Sequence, residues 1–206
     1  MIAIIDYGVG NLFSLKSSFA EIGYEAVVTN DEEVIKRSDK IILPGVGAFG
    51  DAIEKLKNSS MDRAVKEEAK KGKPLLGICL GMQLLFDKSF EYGEYDGLGL
   101  IKGEIRPIKD VIPSDYKIPH IGWNALEFKG EKSEIFKYLS DGNYVYFVHS
   151  FYGANCSESV IATTDYGAPL TAAVGKDNIY GCQFHPEKSG DVGLKILKAF
   201  CEIEVK

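Results

Sequence analysis

Four short apolar runs recur in the first 80 residues, and they are separated by segments that carry apolar side chains at helical spacing. The runs lie at 2–6, 24–29, 40–47 and 74–79. A continuous apolar run of this length is typical of a strand buried on both faces of a parallel sheet. The segments that follow or separate them are predicted helices, at 12–22, 48–57, 60–71 and 80–88. This alternation predicts an α/β fold with a parallel sheet and helices on both faces.

The second half of the chain has a different pattern, with many short β-rich segments between about residues 98 and 184. Such spacing predicts antiparallel or mixed strands that extend the sheet. Residues 109–117 read as a loop, and 190–202 as a final helix with one apolar face. No long linker interrupts the chain, so we expect one domain over residues 1–206, with a central mixed, mainly parallel sheet.

Charge and composition exclude several classes of partner. The formal net charge is −6, which argues against a nucleic-acid or anionic-membrane partner. No apolar run approaches the ~20 residues that a membrane helix needs, and the N-terminal run resembles a strand more than a signal peptide. The four cysteines form no C-x-x-C pair, so we expect reduced thiols and a cytoplasmic protein.

One of the cysteines lies between two glycines, directly after the fourth apolar run. Gly77, Cys79 and Gly81 form a G-x-C-x-G pattern, the cysteine counterpart of the G-x-S-x-G turn that exposes a nucleophile between a strand and a helix. The following helix would point its N-terminus at the sulfur, and the N–H of Leu80 would face a developing oxyanion. A small core residue in a tight turn remains the alternative interpretation of Cys79.

A nucleophilic thiol needs a base and a group that orients that base. His185 emerges from the apolar segment that precedes it, and Pro186 turns the chain so that Glu187 can reach the imidazole. Together with the G-x-C-x-G pattern these residues predict a Cys-His-Glu triad, because triads are defined by geometry and not by sequence order. His149 is better interpreted as a strand histidine with structural hydrogen bonds.

The segments "GICLGMQLLF" and "QFHPEKSG" together resemble the class I glutamine amidotransferase family. The resemblance implies a flavodoxin-like fold and the hydrolysis of glutamine to glutamate and ammonia, with no metal and no cofactor. Four further segments resemble one branch of that family, the glutaminase subunits that pair with a (β/α)₈-barrel cyclase subunit in histidine biosynthesis. They are "IIDYGVGNL", "LPGVGAFGDA", "IPHIGWN" and "YFVHSFYG".

The resemblance also implies roles for individual residues. Cys79 matches the nucleophile, His185 the general base and acid, and Glu187 the group that orients His185. Glutamine-binding residues are implied at Gly47, Gln83, Ser150 and Phe151, and oxyanion donors at Val46 and Leu80. Position 151 departs from the family pattern, which has tyrosine there, so only a backbone role carries over.

The loop 44–47 has glycines on both sides of Val46, so we expect its peptides to rotate with little steric cost. One orientation would aim a carbonyl at the oxyanion and the other an N–H. This predicts a subunit that is nearly silent alone and is switched on by its loaded partner.

Asn11 and Trp123 are the implied partner-facing residues, and Trp123 as a core residue is the alternative. The glycine-rich loop 8–13 with Asp31 is a weak dinucleotide-binding candidate, because Phe13 replaces the third glycine. Three rival functions remain open: a paralogous glutaminase of surface-sugar biosynthesis, a cysteine peptidase or esterase, and a binding module with an inactive triad.

Overall fold

The structure is a computed structural model that describes residues 1–204, and this part of the chain holds fourteen β-strands and six α-helices. The strands are β1 (Ile2–Ile5), β2 (Ala26–Thr29), β3 (Lys40–Leu43), β4 (Leu75–Ile78), β5 (Phe86–Ser89), β6 (Tyr95–Asp96), β7 (Ile101–Pro107), β8 (His120–Ala125), β9 (Glu127–Phe128), β10 (Tyr144–His149), β11 (Phe151–Ala154), β12 (Val160–Asp165), β13 (Pro169–Lys176) and β14 (Ile179–Cys182). The helices are α1 (Leu12–Glu21), α2 (Glu32–Arg37), α3 (Phe49–Asn58), α4 (Met61–Lys70), α5 (Leu80–Leu84) and α6 (Gly190–Cys201).

The central sheet has eight strands in the order β2-β1-β3-β4-β14-β13-β12-β9. The first five pair in parallel and the last three pair antiparallel. The order of the parallel half is that of a flavodoxin-like doubly wound sheet, with β14 in the place of the fifth strand. The predicted mixed, mainly parallel sheet is confirmed.

Both faces of this sheet are covered by helices, because alternate side chains of each buried strand join different hydrophobic clusters. Ala3 and Ile5 of β1 pack in the cluster that holds the apolar faces of α3 and α4. Ile2 and Ile4 pack in the cluster that holds the apolar faces of α1 and α6. Continuous apolar runs were therefore the correct indication of strands buried on both sides.

The predicted helix over 80–88 is wrong in its second half. Helix α5 ends at Leu84, and β5 begins two residues later at Phe86. The carbonyl of Leu85 accepts hydrogen bonds from the N–H groups of Leu100 and Ile101, so a distant segment captures the backbone that would continue the helix. Tertiary pairing here overrides a helical side-chain pattern.

The prediction that the middle strands extend the main sheet holds for only some of them. Strands β9, β12, β13 and β14 join the sheet, whereas β8 and β10 form a separate antiparallel pair, and β5, β6, β7 and β11 form a third sheet. Phe86, the first residue of β5, is fully buried, and a Cβ at Gly153 of β11 would lie 2.5 Å from its ring. The missing side chain at Gly153 thus lets β11 pack closely on this ring.

The residues at the starts of α1 and α2 differ in whether their side chains cap the helix. Helix α2 was not predicted, and the Asp31 side chain caps it by accepting the Glu33 N–H at 2.8 Å, which gives Asp31 a structural role in place of the dinucleotide role. Asn11 occupies the N-cap position of α1, but its side chain makes no capping hydrogen bond. Over residues 1–204, no helix has the length and apolar character needed to cross a bilayer.

Candidate active site

Cys79 alone forms the turn between β4 and α5. Its backbone has φ 54° and ψ −113°, a conformation that costs a non-glycine residue about 1–3 kcal/mol. The Cys79 N–H donates to the Cys182 carbonyl of β14 at 2.7 Å, which ties this turn to the neighbouring strand. The strained geometry is that of a nucleophile elbow, and it lifts the thiol to the carboxyl end of the sheet.

The flanking glycines are required because backbone atoms pack directly against them. A Cβ at Gly77 would lie 2.7 Å from the Gly81 carbonyl oxygen, and one at Gly81 would lie 1.8 Å from the Leu43 carbonyl oxygen. Neither neighbour is the flexible end of a side chain, so no small adjustment makes room. The G-x-C-x-G pattern therefore records the close approach of α5 to both β3 and β4.

His185 follows β14 and is almost completely buried. Its N–H donates to the Tyr146 carbonyl at 3.0 Å, and its carbonyl accepts the Ser189 hydroxyl at 2.7 Å. The same hydroxyl accepts the Tyr146 N–H at 3.0 Å, so β10 and the start of α6 hold the His185 backbone from two sides. The imidazole is thus carried by a rigid frame and not by a free loop.

Glu187 lies behind His185, with its Oε1 atom 2.8 Å from Nδ1 of the imidazole. Burial lowers the pKa of His185, but the neighbouring Cys79 sulfur and the hydrogen-bonded Glu187 carboxylate outweigh that effect and raise the pKa to about 9. The second oxygen of Glu187 is buried and has no hydrogen-bond partner among the described residues. An unbonded carboxylate oxygen in this position leaves more of the negative charge facing the imidazolium.

A cleft of about 330 Å³ opens beside Cys79, at the small end of the range for small-molecule sites. It gathers side chains and backbone from six separate segments of the chain. They are Val46, Gly47, Cys79, Leu80, Gln83, Glu91, Tyr92, Pro119, Val148, His149, Ser150, Phe151 and His185. Every residue for which the sequence predicted a nucleophilic, glutamine-binding or oxyanion role therefore lines this cleft, and Glu187 supports His185 from behind.

Several residues of the site were not predicted from the sequence. Glu91 is buried, and its Oε2 atom accepts the Phe49 N–H at 2.6 Å; burial raises the pKa of this carboxyl group. Gln183 accepts a hydrogen bond from Gln83 at 2.9 Å, and its amide nitrogen lies 3.9 Å from the Cys79 sulfur. Gln183 precedes His185 by two residues, so strand alternation was a usable signal for it, whereas nothing local distinguishes Glu91 from other acids.

The sequence model of the family described as glutamine amidotransferase class-I matches residues 3–203. The chain belongs to this family. It is 51% identical to the imidazole glycerol phosphate synthase subunit HisH of Wolinella succinogenes over 205 residues, which cover 98% of this chain and 100% of that protein. The HisH subunit of Lactococcus lactis is 50% identical over 202 residues, 98% of each chain.

Solved structures give the same fold assignment for this class I amidotransferase. A glutamine amidotransferase crystal structure matches with a TM-score of 0.75 and 18% identity, over 98% of this chain and 100% of that one. The glutaminase domain of Trypanosoma brucei CTPS with bound acivicin matches with a TM-score of 0.68 and 15% identity, over 98% and 94%. At these identities the likeness establishes the fold alone.

The two glycines of the loop 44–47 differ in how freely their peptides can rotate. A Cβ at Gly45 would lie 2.7 Å from the Gly81 backbone nitrogen, so this glycine is packed against the elbow. Gly47 has φ +96° and nothing within 4 Å of a Cβ position. Rotation is therefore expected on the Gly47 side of Val46 and not on the Gly45 side.

The two residues implied at the partner face lie outside the cleft. Trp123 is 52% exposed, which excludes the core interpretation, and its ring makes an edge contact with Tyr146 of the neighbouring strand. Asn11 is half-buried at the start of α1. Within residues 1–204, no cluster of three or more His, Cys, Asp or Glu side chains is arranged to hold a metal ion.

Proposed function

We propose that this chain hydrolyses glutamine to glutamate and ammonia and supplies the ammonia to a (β/α)₈-barrel cyclase subunit, HisF. The two subunits would together make imidazole glycerol phosphate and AICAR in histidine biosynthesis. The observation that carries the glutaminase half is a thiol on a strained elbow beside an imidazole that is hydrogen-bonded to a buried carboxylate. The naming of full-length relatives as HisH supports the histidine pathway.

In the proposed reaction the proton shared by Cys79 and His185 already lies on His185, in keeping with its raised pKa, and the sulfur attacks the side-chain carbonyl carbon of glutamine. The tetrahedral intermediate collapses when His185 protonates the departing nitrogen, which leaves as ammonia and yields a glutamyl thioester. His185 then takes a proton from water, the hydroxide attacks the thioester, and the carbon–sulfur bond breaks, which releases glutamate and leaves the proton on His185 as at the start. Glu187 keeps His185 oriented and stabilises the imidazolium in each half of the cycle.

The lining of the cleft suits the two ends of glutamine. The carboxylate of Glu91 offers a negative group to the α-ammonium, and backbone groups of Ser150 and Phe151 offer donors and acceptors to the α-carboxylate and ammonium. The N–H of Leu80 begins α5 and has no partner within that helix, so it is available to the oxyanion. A rotated peptide on the Gly47 side of Val46 would supply the second donor.

The rival assignments differ in substrate and partner. A paralogous glutaminase of surface-sugar biosynthesis would use the same cleft, and the naming of the relatives favours the histidine pathway over it. A small cleft with the buried Glu91 carboxylate does not suit a cysteine peptidase. The residue beside the cleaved bond of a peptide substrate has no free α-ammonium group to pair with that carboxylate. A co-purification that captures a (β/α)₈-barrel subunit from the native host tests the partner directly.

Glutaminase turnover should be measured for the subunit alone, with the cyclase subunit, and with the cyclase subunit plus its ribonucleotide ligand. A missing oxyanion donor costs on the order of 10²–10³ in turnover, so we expect low activity alone and full activity in the loaded complex. Cys79→Ala should abolish turnover, whereas Cys182→Ala should retain it. Full activity of the isolated subunit would contradict partner gating, and no activity in the loaded complex would contradict the glutaminase assignment.

A further inference from the structure

Two buried histidines form a continuous chain of contacts between the glutamine cleft and the outer strand β8. His149 Nδ1 lies 2.8 Å from the Phe151 carbonyl oxygen, and its Nε2 lies 3.0 Å from His120 Nδ1. His120 Nε2 in turn lies 2.9 Å from the side-chain oxygen of Asn124. The chain therefore begins and ends on an oxygen that can only accept a hydrogen bond.

The number of protons does not match the number of contacts. Burial lowers the pKa of His149 to about 4 and also lowers the pKa of His120, so both rings are neutral near pH 7. Two neutral imidazoles carry two ring N–H groups, whereas three contacts with acceptors at both ends need three. One contact of the chain must therefore lack a proton.

The other hydrogen bonds of the Phe151 carbonyl and of the Asn124 amide show which contact lacks the proton. The Phe151 carbonyl also accepts the Gln83 amide at 3.3 Å, so it retains a donor when His149 gives none. The Asn124 oxygen faces His120 because the amide nitrogen donates to the Asp165 carbonyl at 2.9 Å. His120 therefore donates outward to Asn124, His149 donates to His120, and the Phe151 end lacks its proton.

A rotation of the Asn124 amide by half a turn reverses this chain. The amide nitrogen would then donate to His120, His120 to His149, and His149 to the Phe151 carbonyl, so that all three contacts have a proton. The rotation gives up the bond to Asp165 and turns the Asn124 oxygen toward the Asp165 carbonyl, so the two acceptors must move apart; Asp165 is exposed, and water can satisfy both oxygens. The His120 ring cannot swing away, because it is stacked between Phe147 at 5.0 Å and Tyr166 at 4.0 Å.

We propose that Asn124 is a positioning residue for glutamine, and that its amide orientation sets the direction of the His120–His149 hydrogen-bond chain. When the N–H groups point outward, toward Asn124, the Phe151 carbonyl at the cleft receives no hydrogen bond from His149. When they point inward, toward Phe151, His149 donates to that carbonyl and fixes its position. This proposal rests on the proposed function for its substrate. Asn124 and Trp123 are neighbours on β8, so their side chains lie on opposite faces of this strand, and Asn124 is on the face of His120.

The test uses Asn124→Leu in the full chain, since leucine has a similar volume and no acceptor. Nitrogen NMR of the imidazoles distinguishes the two tautomers directly. In the parent chain we expect the His149 proton on Nε2, and in Asn124→Leu we expect both histidines to carry their proton on Nδ1. An Nδ1 proton on His149 in both proteins would overturn the proposal, and Asn124→Ala serves if the leucine variant does not fold.

The functional consequence is measured as glutamine affinity by calorimetry in a Cys79→Ala background, which prevents turnover. One additional hydrogen bond at the cleft should make Asn124→Leu bind glutamine about three- to tenfold more tightly. The exposed Asn58→Leu is the matched control and should bind as the parent does. In a His120→Phe background the chain is cut, so Asn124→Leu should have no effect on affinity.

Unchanged affinity in Asn124→Leu, or an equal effect in the His120→Phe background, would also overturn the proposal. Failure of the proposed function gives a different result. In that case no variant would bind glutamine, while the tautomer change of His149 would still be present in the NMR spectra.

Discussion

At the scale of single residues, the site depends on two groups that the fold holds in an unusual state. The backbone of Cys79 is held at positive φ, and the imidazole of His185 keeps its proton at a higher pH than an unperturbed histidine does, because its pKa is about 9. Both features raise the energy or change the charge of a group that the proposed chemistry uses. Each can be tested by a substitution that isolates one of them.

The strain at Cys79 predicts an unusual order of stabilities. Glycine adopts positive φ freely, so Cys79→Gly should be more stable than Cys79→Ala by about 1 kcal/mol, once the greater freedom of glycine in the unfolded chain is subtracted from the strain. Cys182 lies in a regular strand, and there glycine should be less stable than alanine. Urea unfolding of the four variants gives the comparison; the same order at both positions would contradict strain at Cys79.

The proton on His185 predicts a stability that depends on pH. The pKa is about 9 in the folded chain and near 6.5 when the group is unperturbed. A raised pKa of this kind contributes stability that is complete below about pH 6.5 and is lost as the pH rises through about 9. Glu187→Gln removes one cause of the shift, so the pKa measured by NMR should fall, and the loss of stability should be smaller and complete at lower pH.

The exposed Glu54→Gln is the matched control and should leave the His185 titration unchanged. Glutaminase activity of Glu187→Gln should fall by less than that of His185→Ala, because the imidazole can still transfer protons. An unchanged pKa in Glu187→Gln would mean that the carboxylate does not support the imidazolium, and the triad would reduce to a Cys-His pair.

At the scale of secondary-structure elements, the site is made by the close approach of α5 to β3 and β4. The helix is only five residues long, yet all five are buried. Glycines at 77 and 81 permit this approach, and β14 adds the hydrogen bond to the Cys79 backbone. The position of the thiol is therefore determined by three strands at once and not by the turn alone.

Gly81→Ala should accordingly destabilise the protein far more than an ordinary glycine substitution. Its Cβ would meet the Leu43 carbonyl, and relief requires α5 to move away from β3, so we expect a loss of about 3 kcal/mol or more. Gly23→Ala is the control, because nothing lies within 4 Å of its Cβ position and only its positive φ costs energy, about 1 kcal/mol. Equal losses in thermal unfolding would show that α5 has room to shift.

At the scale of the whole molecule, an eight-stranded sheet carries a cleft at the carboxyl ends of its parallel strands. Two smaller sheets close the side of this cleft, and β8 and β10 present exposed aromatic residues beside it. Trp123 is exposed although tryptophan is costly to leave in water. An exposed aromatic side chain of this size is typical of a surface that contacts another protein.

Trp123→Ala should weaken association with the cyclase subunit by about 2 kcal/mol or more if the residue is a binding hot spot. The melting temperature of the free subunit should change little, because the side chain is half exposed and lies outside the hydrophobic clusters. Tyr138→Ala is the control, since Tyr138 is 46% exposed and bonds to Glu202 near the C-terminus. A large drop in stability with unchanged association would argue for a structural role of Trp123.

The sequence alone determined those features that depend on neighbours along the chain. Continuous apolar runs predicted buried parallel strands, and the glycines around Cys79 predicted the elbow, because both patterns reflect local backbone geometry. The short spacing of His185 and Glu187 likewise predicted their contact. These features needed no knowledge of distant segments.

Only the tertiary structure decided the features in which distant segments compete for the same backbone or side chain. Pairing with the segment at 100–101 ended α5 at Leu84, and the pairing of β5 with β6 and β7 built a third sheet apart from the main one. Glu91 lies just after β5 and enters the cleft from there, where it accepts the Phe49 N–H. The His120–His149 contact joins two strands through residues that are 29 positions apart. No local pattern encodes these contacts, because their energy depends on partners that are far away in the sequence.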